Sequence, residues 1–460
     1  MKHRIIIAGI FLLGYLIIFS SNICLAANDD ILDSKDINSE PLQLIDLPTT
    51  LRLAGANNLD IKIAREKLKQ AEAANEAATL KFFPWLEPEV LFRDHQHLIQ
   101  DTTGNIIEAS QRTKAASVIL TGSIDVGDDI FNKLVTKQLN SAAYEGMQSQ
   151  KNDSLLSAAD GYFDLVNAEA LVGVQEESLR ISQSYERQIK EAVEIGITNK
   201  ENWLQVKVQT HLYQIALAQA EQNLREAAAK LAEILHLDPS VMLTPLDPQP
   251  LELKLLPQEM DLQKFIKIAL ANRPELTQSH HEIKAANHYR QEVTYGPLIP
   301  TVNLFVNDGS LGGGPYGHDR SMGNTQNRLV SLNWRIGPGG LFDYSMIHDA
   351  TAKLHQTLLG NAKLHDDIIR QVVDSHTAVM TTREQTVLAR QNLILAQRAY
   401  HLARERKQFG VAEVLEAIKM MQDLNNARAE YVVTITSTNE AQYQFIYSIA
   451  NIGDEPDALH

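Results

Sequence analysis

Along most of the chain, apolar residues return every three or four positions. Leu217, Ala220, Leu224, Ala227, Leu231 and Ile234 mark one such stripe, and Leu388, Leu395 and Leu402 step by sevens. These periods predict amphipathic helices packed as coiled coils, with alanine-rich seams that let neighbours approach closely. Four short stretches break the rule and alternate apolar with polar residues, as strands do. They read FFPWLEPEVLF from Phe82, SVILTGSIDVGDDIF from Ser117, LIPTVNLFV from Leu298 and VSLNWRIGPGGLFDY from Val330. Pro84 and Pro300 are expected to stop the helices before them, and Gly127 and the Gly337 to Gly340 cluster to end the second strand of each pair. The segments between the strands, roughly His97 to Ala116 and Asn307 to Asn327, are rich in polar residues and glycine and are predicted to be loops in water.

The pattern occurs twice. LRLAGANNLDIKIAREKLKQAEAA from Leu51 recurs as FIKIALANRPELTQSHHEIKAANH from Phe265, so that Ala56-Asn57 falls on Ala271-Asn272 at an offset of 215 residues. Nearly the same shift carries Pro84 onto Pro300, Gly196 onto Gly410, and Val118, Leu120, Ile124 and Gly127 onto Val330, Leu332, Ile336 and Gly339. Each half therefore reads as a helix of about 35 residues, a strand, a loop, a strand, a very long helix, a glycine turn and a returning helix. A proline-rich linker from Leu237 to Leu262 joins the halves. The expected division is 27–246 and 247–453, with a short tail at 454–460 and the strands at about 85–128 and 300–340.

Lengths then constrain the architecture. Ile130 to Glu194 and Phe342 to Phe409 are helices of about 65 residues, or roughly 100 Å each. Thr49 to Phe83 and Asn202 to His236 are half as long and fit end to end beside a long one. The four strands match the ~9 to 11 residues that a tilted strand needs to cross a bilayer, but four strands cannot close a barrel and open edges are not tolerated in lipid. The chain is expected to share its barrel with copies of itself: two would give eight strands, three would give twelve. In the last strand, Val330, Leu332, Trp334 and Ile336 are expected to face lipid.

Composition narrows the rest. Lys2, His3 and Arg4 precede an uncharged run from Ile5 to Ser20 and the small-x-small pattern Cys24-Leu25-Ala26, which reads as a secretory signal peptide over 1–26. Cys24 is the only cysteine, so the mature chain is expected to have neither disulfides nor sulfur ligands. A net charge of −15 without a basic run argues against nucleic acid as a partner. His95 and His97, and His280, His281 and His288, lack a convergent ligand set and read as surface residues. No nucleophile elbow, phosphate loop, dinucleotide fingerprint or zinc helix motif occurs, so neither an enzyme nor a cofactor is expected.

Order, spacing and duplication together resemble the TolC-like outer-membrane efflux proteins, over nearly the whole mature chain from about Leu47 to Gly453. The resemblance implies a mainly α fold with a small transmembrane β part: an antiparallel coiled-coil α-barrel in the periplasm, continued by a β-barrel to which each of three subunits gives four strands. It implies a homotrimer in the outer membrane of a Gram-negative bacterium, in contact with its lipid. It further implies a periplasmic adaptor of the membrane-fusion type, an inner-membrane pump of the RND, ABC or MFS type, and passive efflux or type I secretion. A soluble periplasmic coiled-coil adaptor is the competing reading, although such a protein is expected to show a single hairpin without duplicated strand pairs.

The same resemblance places the functional surfaces. Its acidic step after the second-half glycine corresponds to Glu413-Val414-Leu415-Glu416, so Glu413 and Glu416 would form two stacked carboxylate rings at a narrow pore entrance that favours cations. A solvated outward face is the alternative. The turns at Gly196, Ile197, Thr198 and Asn199 and at Gly410 and Val411 would meet the adaptor. The family's tyrosine before the glycine is Lys407 here, and its arginine after the glycine has no counterpart. Phe83, Trp85, Trp334 and Phe342 cluster where strands meet helices, either as membrane-interface aromatics or as packing of that junction.

Overall fold

The structure is a computed structural model, and it describes residues 43–449 except 239, 317, 319 and 409–413. The leader at 1–26, the tail, and Gly410, Val411 and Glu413 lie outside the described residues.

A short parallel pair, β1 (Gln43–Ile45) with β6 (Leu243–Pro245), closes the middle of the chain. The first helical column is two helices rather than one: α1 (Leu47–Asn57) and α2 (Leu59–Leu80). Asn58 separates them. Its backbone N–H still donates to Ala54, while its side-chain oxygen accepts from the N–H groups of Asp60 (2.8 Å) and Ile61 (3.2 Å) and so starts the next helix. The second half breaks at the equivalent residue. There α5 (Leu262–Asn272) ends at Arg273, and Pro274 opens α6 (Pro274–Tyr295) with its missing N–H in the first turn, where no partner is needed. The single 35-residue helix expected in each half is thus an 11-residue and a 22-residue helix, twice.

The long helices are α3 (Val126–Glu194, 69 residues) and α7 (Tyr344–Gln408, 65 residues), and each is followed by a 35-residue return, α4 (Lys200–Ile234) and α8 (Val414–Ser448). α3 packs on α4, α2, α6 and α8, while α7 packs on α8, α6 and α5. Two apolar clusters hold the columns at mid-height. One joins Ala54, Phe163, Leu165, Leu231 and Leu243, and the other joins Phe265, Ile368, Val372 and Phe445. A smaller cluster of Ile189, Val206, Val414 and Ile418 holds the tip.

The sheet has the order β2 (Trp85–His95), β5 (Gln111–Asp125), β7 (Thr301–Pro315), β8 (Arg320–Asn333), antiparallel throughout, and a small ribbon of β3 (Leu98–Gln100) and β4 (Ile106–Glu108) fills the first connection. Most of the two predicted loops is therefore strand. Their Asn, Gly, Ser and Thr residues extend the ladders beyond the apolar band, because backbone pairing requires no apolar side chain. The fourth strand starts earlier than predicted and ends at Asn333, leaving Trp334 and Ile336 beyond the ladder.

Gly127 also departs from its predicted role. It lies in the first turn of α3, which follows β5 without a connecting residue. Its Cβ would stand 2.3 Å from the carbonyl oxygen of Gly296, so glycine is needed for close backbone approach and not for a strand end. In the second half, the equivalent connection is a loop with Gly337 and Gly339 at positive φ, closed by the Asp343 carboxylate, which accepts from the N–H groups of Gly339 (2.8 Å) and Met346 (3.2 Å).

Candidate functional site

Residues directly opposite one another in neighbouring strands share a face of the sheet. The register pairs Leu86 with Leu120, Leu120 with Val306, Val302 with Leu332, and Leu304 with Val330. Val90, Phe92, Val118 and Ile124 fall on that same face, which makes it a broad apolar surface. Its residues on β2 and β8 are exposed, Val90 by 84% and Val330 by 67%, and those on β7 are half-buried. The opposite face carries Glu87, Glu89, Ser117, Thr121, Asn303, Asn327 and Ser331, with Trp85, Leu91, Ile119, Leu311 and the pair Phe305 and Leu329 as apolar exceptions. One apolar and one polar face are what a barrel wall between lipid and an aqueous lumen requires. Both outer strands, β2 and β8, keep one unpaired backbone edge within this chain. Of the four residues expected to face lipid in the last strand, Val330 and Leu332 lie on the apolar face, and Trp334 and Ile336 follow the strand.

Phe83, Trp85, Trp334 and Phe342 lie at the end of the sheet that meets the helices, and each is more than half exposed. Trp334 Nε1 donates to the Leu298 carbonyl at 3.4 Å, which ties the end of β8 to the short turn after α6. Phe342 has φ of 71°, a conformation that an aromatic residue adopts only under constraint. Beneath this belt is a group of carboxylates that sequence reasoning missed, because its members come from 125–129 and from 292. Glu292 is pushed up to about 7, first by burial and then by the charge of Asp128. Burial also raises Asp128 and Asp129, while Lys81 pulls all three down.

At the other end, the first tip turn is a helix terminus built by Gly196. With φ of 77°, Gly196 donates its N–H to Val193 (3.1 Å), and Ile197 donates to Ala192 (2.8 Å), the paired bonds of a left-handed glycine cap. Thr198 Oγ1 accepts from the side chain of Asn202 at 2.8 Å, and Asn199 stands at the start of α4 without a side-chain cap. Ile195 and Ile197 project from the turn, both more than two-thirds exposed. Ile195 was not singled out in the sequence, where an isolated apolar residue in a turn carries no signal. In the second turn, Val414 is buried in the tip cluster, Leu415 is exposed and Glu416 is half-buried. Three of the five histidines make ordinary hydrogen bonds, His95 with the Leu98 carbonyl (2.9 Å), His281 with Gln138 (2.8 Å) and His288 with Gln291 (3.1 Å). No helix among the described residues is long and apolar enough to cross a membrane.

Comparison with known families matches residues 265–446 to the outer membrane efflux protein family, OEP. The match runs from α5 through β7, β8 and α7 into α8. A comparison with curated protein sequences gives no match. Among solved structures, the Campylobacter jejuni CmeC outer membrane channel superposes with a TM-score of 0.77 at 16% identity, over 92% of this chain and 93% of that one. CusC superposes with a TM-score of 0.73 at 17% identity, over 91% and 95% of the two chains. The open state of the Neisseria gonorrhoeae MtrE outer membrane channel gives 0.70 at 13% identity, over 88% of each. Over about nine-tenths of its length the chain therefore has the fold of these outer membrane channels.

Proposed function

We propose that three copies of this chain form a passive exit duct, a twelve-stranded barrel continued by a helical tube, through which a partner pump expels its cargo. The observation that carries the reading is the four-stranded sheet, with its apolar and polar faces and two unpaired edges. An exposed edge in lipid is costly for each unsatisfied backbone group, and closure with neighbouring copies removes every edge at once. The equal lengths of the helices in the two halves support the division into repeats at 27–246 and 247–453. Energy would come from the pump, through an adaptor docked at the tip formed by Gly196 to Asn199 and by Gly410 and Val411. Phe83, Trp85, Trp334 and Phe342 would mark the inner boundary of the bilayer.

Membrane fractionation followed by an unheated gel in mild detergent tests the assembly. The expected product is an outer-membrane oligomer that heat converts to the single chain. A soluble monomer in the periplasm would favour an adaptor or scaffold and sink the duct. The tip is tested separately by replacing Glu413 and Glu416 with alanine and recording conductance in planar bilayers. Carboxylate rings at the entrance predict a marked loss of cation selectivity, and unchanged selectivity would move both residues out of the pore.

A further inference from the structure

Just inside the tip, α3, α7 and α8 enclose a cavity of about 540 Å3. That volume lies within the usual ~300 to 1,000 Å3 of small-molecule sites. Three arginines reach it, Arg180 from α3, Arg404 from α7 and Arg428 from α8, and His401 stands beside them. Arg180 is occupied by Glu177, to which its Nε and Nη2 donate at 2.8 and 2.7 Å. No carboxylate pairs with Arg404 or Arg428 among the described residues. Both charges are felt at the half-buried Tyr400 hydroxyl, which burial and the Glu177 carboxylate in the same lining raise and these two guanidinium groups lower. Tyr185 and Tyr400 supply aromatic walls, and Met421 and Leu424 add apolar surface from α8.

We propose that this cavity binds a small aromatic organic anion, a carboxylate or sulfonate, with its charge on Arg404 and Arg428 and its ring between the tyrosines. Two like charges left unpaired around one cavity repel each other, and an anion between them removes that cost. Guanidinium groups present parallel N–H donors that match a carboxylate or sulfonate edge, and they also stack on aromatic faces. The tyrosine walls and the apolar floor offer a hydrated inorganic ion little, and they favour a ligand with a flat apolar body. A ligand held this way would touch α3 of the first half and α7 and α8 of the second. It would therefore tie together two hairpins that otherwise meet here chiefly through α3 and α8. The site follows from the side chains of one chain and does not depend on the duct.

Calorimetric titration tests it, using full-length protein in lipid nanodiscs, empty nanodiscs as the blank, 2-naphthoate as the probe and neutral 2-naphthamide as the comparison. The expected result is saturable binding of naphthoate at one site per chain, with no saturable binding of the amide. Arg404→Gln and Arg428→Gln should each weaken binding about tenfold, as loss of a charge-assisted hydrogen bond does. Arg428→Lys should fall between, since it keeps the charge and loses the fork. Equal binding of the amide, absence of naphthoate binding, or indifference to both glutamine variants would overturn the proposal. Should Arg428→Gln fail to assemble, Arg404→Gln decides, because its side chain is exposed.

Discussion

Asp160 and Glu440 are 280 positions apart in the sequence and share one buried site between α3 and α8. Asp160 is pushed up to about 6, by burial first and then by Asp164. Glu440 is pushed up to about 7, by burial first and then by Asp164 and Asp160. Lys230 on α4 opposes both shifts and pairs with Asp164 at 2.8 Å. A carboxyl group whose folded pKa is raised stabilises the fold fully below its unfolded value, near 4, and loses that contribution as pH rises through the folded value. Thermal stability should therefore fall between about pH 4 and pH 7, and Glu440→Gln should flatten that dependence. A variant melting profile parallel to that of the parent across the range would refute the account. Nothing in the sequence announces this site, since each carboxylate alone resembles a solvated helix face. Gly196 was legible for the opposite reason: its constraint is local, and a tight helical hairpin states its need for glycine within five residues.

For the elements, period and punctuation located nearly all the helices, and the misreadings have physical causes. The break in the first column was hidden because Asn58 maintains the register of the apolar stripe while exchanging backbone bonds for side-chain bonds. Its counterpart Arg273 makes the same break by another chemistry. Arg273 is buried, pairs with Glu275 at 2.9 Å, and donates to the Ser448 carbonyl at 3.3 Å and to Gln371 at 3.2 Å. Asn58→Ala should cost about 1 to 2 kcal/mol, the range for a lost helix cap. Arg273→Ala should cost more, about 3 to 5 kcal/mol, because it leaves a largely buried carboxylate without its partner. Denaturant melts followed by circular dichroism would measure both, and an equal or reversed order would show that the two breaks are held alike. The strands were underestimated because alternation reports burial in lipid, and their outer polar halves have none to report.

At the scale of the chain, the long helices and the four main strands were legible from their lengths and alternation. Rods near 100 Å and four strands that cannot close imply a shared wall, whatever the individual residues are. Which face meets lipid is open to direct test on adjacent residues of β8. Leu332→Asp places a charge on the apolar face and should abolish assembly in the outer membrane. Ser331→Asp, on the polar face, should leave the assembled protein intact, as judged by the amount of heat-modifiable oligomer. Equal loss in both would mean that the faces are assigned wrongly.

The two mid-height clusters have a mechanical consequence. They act as a collar, and each long helix beyond them is a lever. From Phe163 to the end of α3 is roughly 30 residues, or about 45 Å, so a tilt of about 5° at the collar carries the tip by about 4 Å. A displacement of that size exceeds the diameter of a water molecule, yet it strains no single contact at the fulcrum by more than a fraction of an ångström. Movement at the tip can thus be regulated far from the stiffest part of the molecule, and the sheet need not move at all.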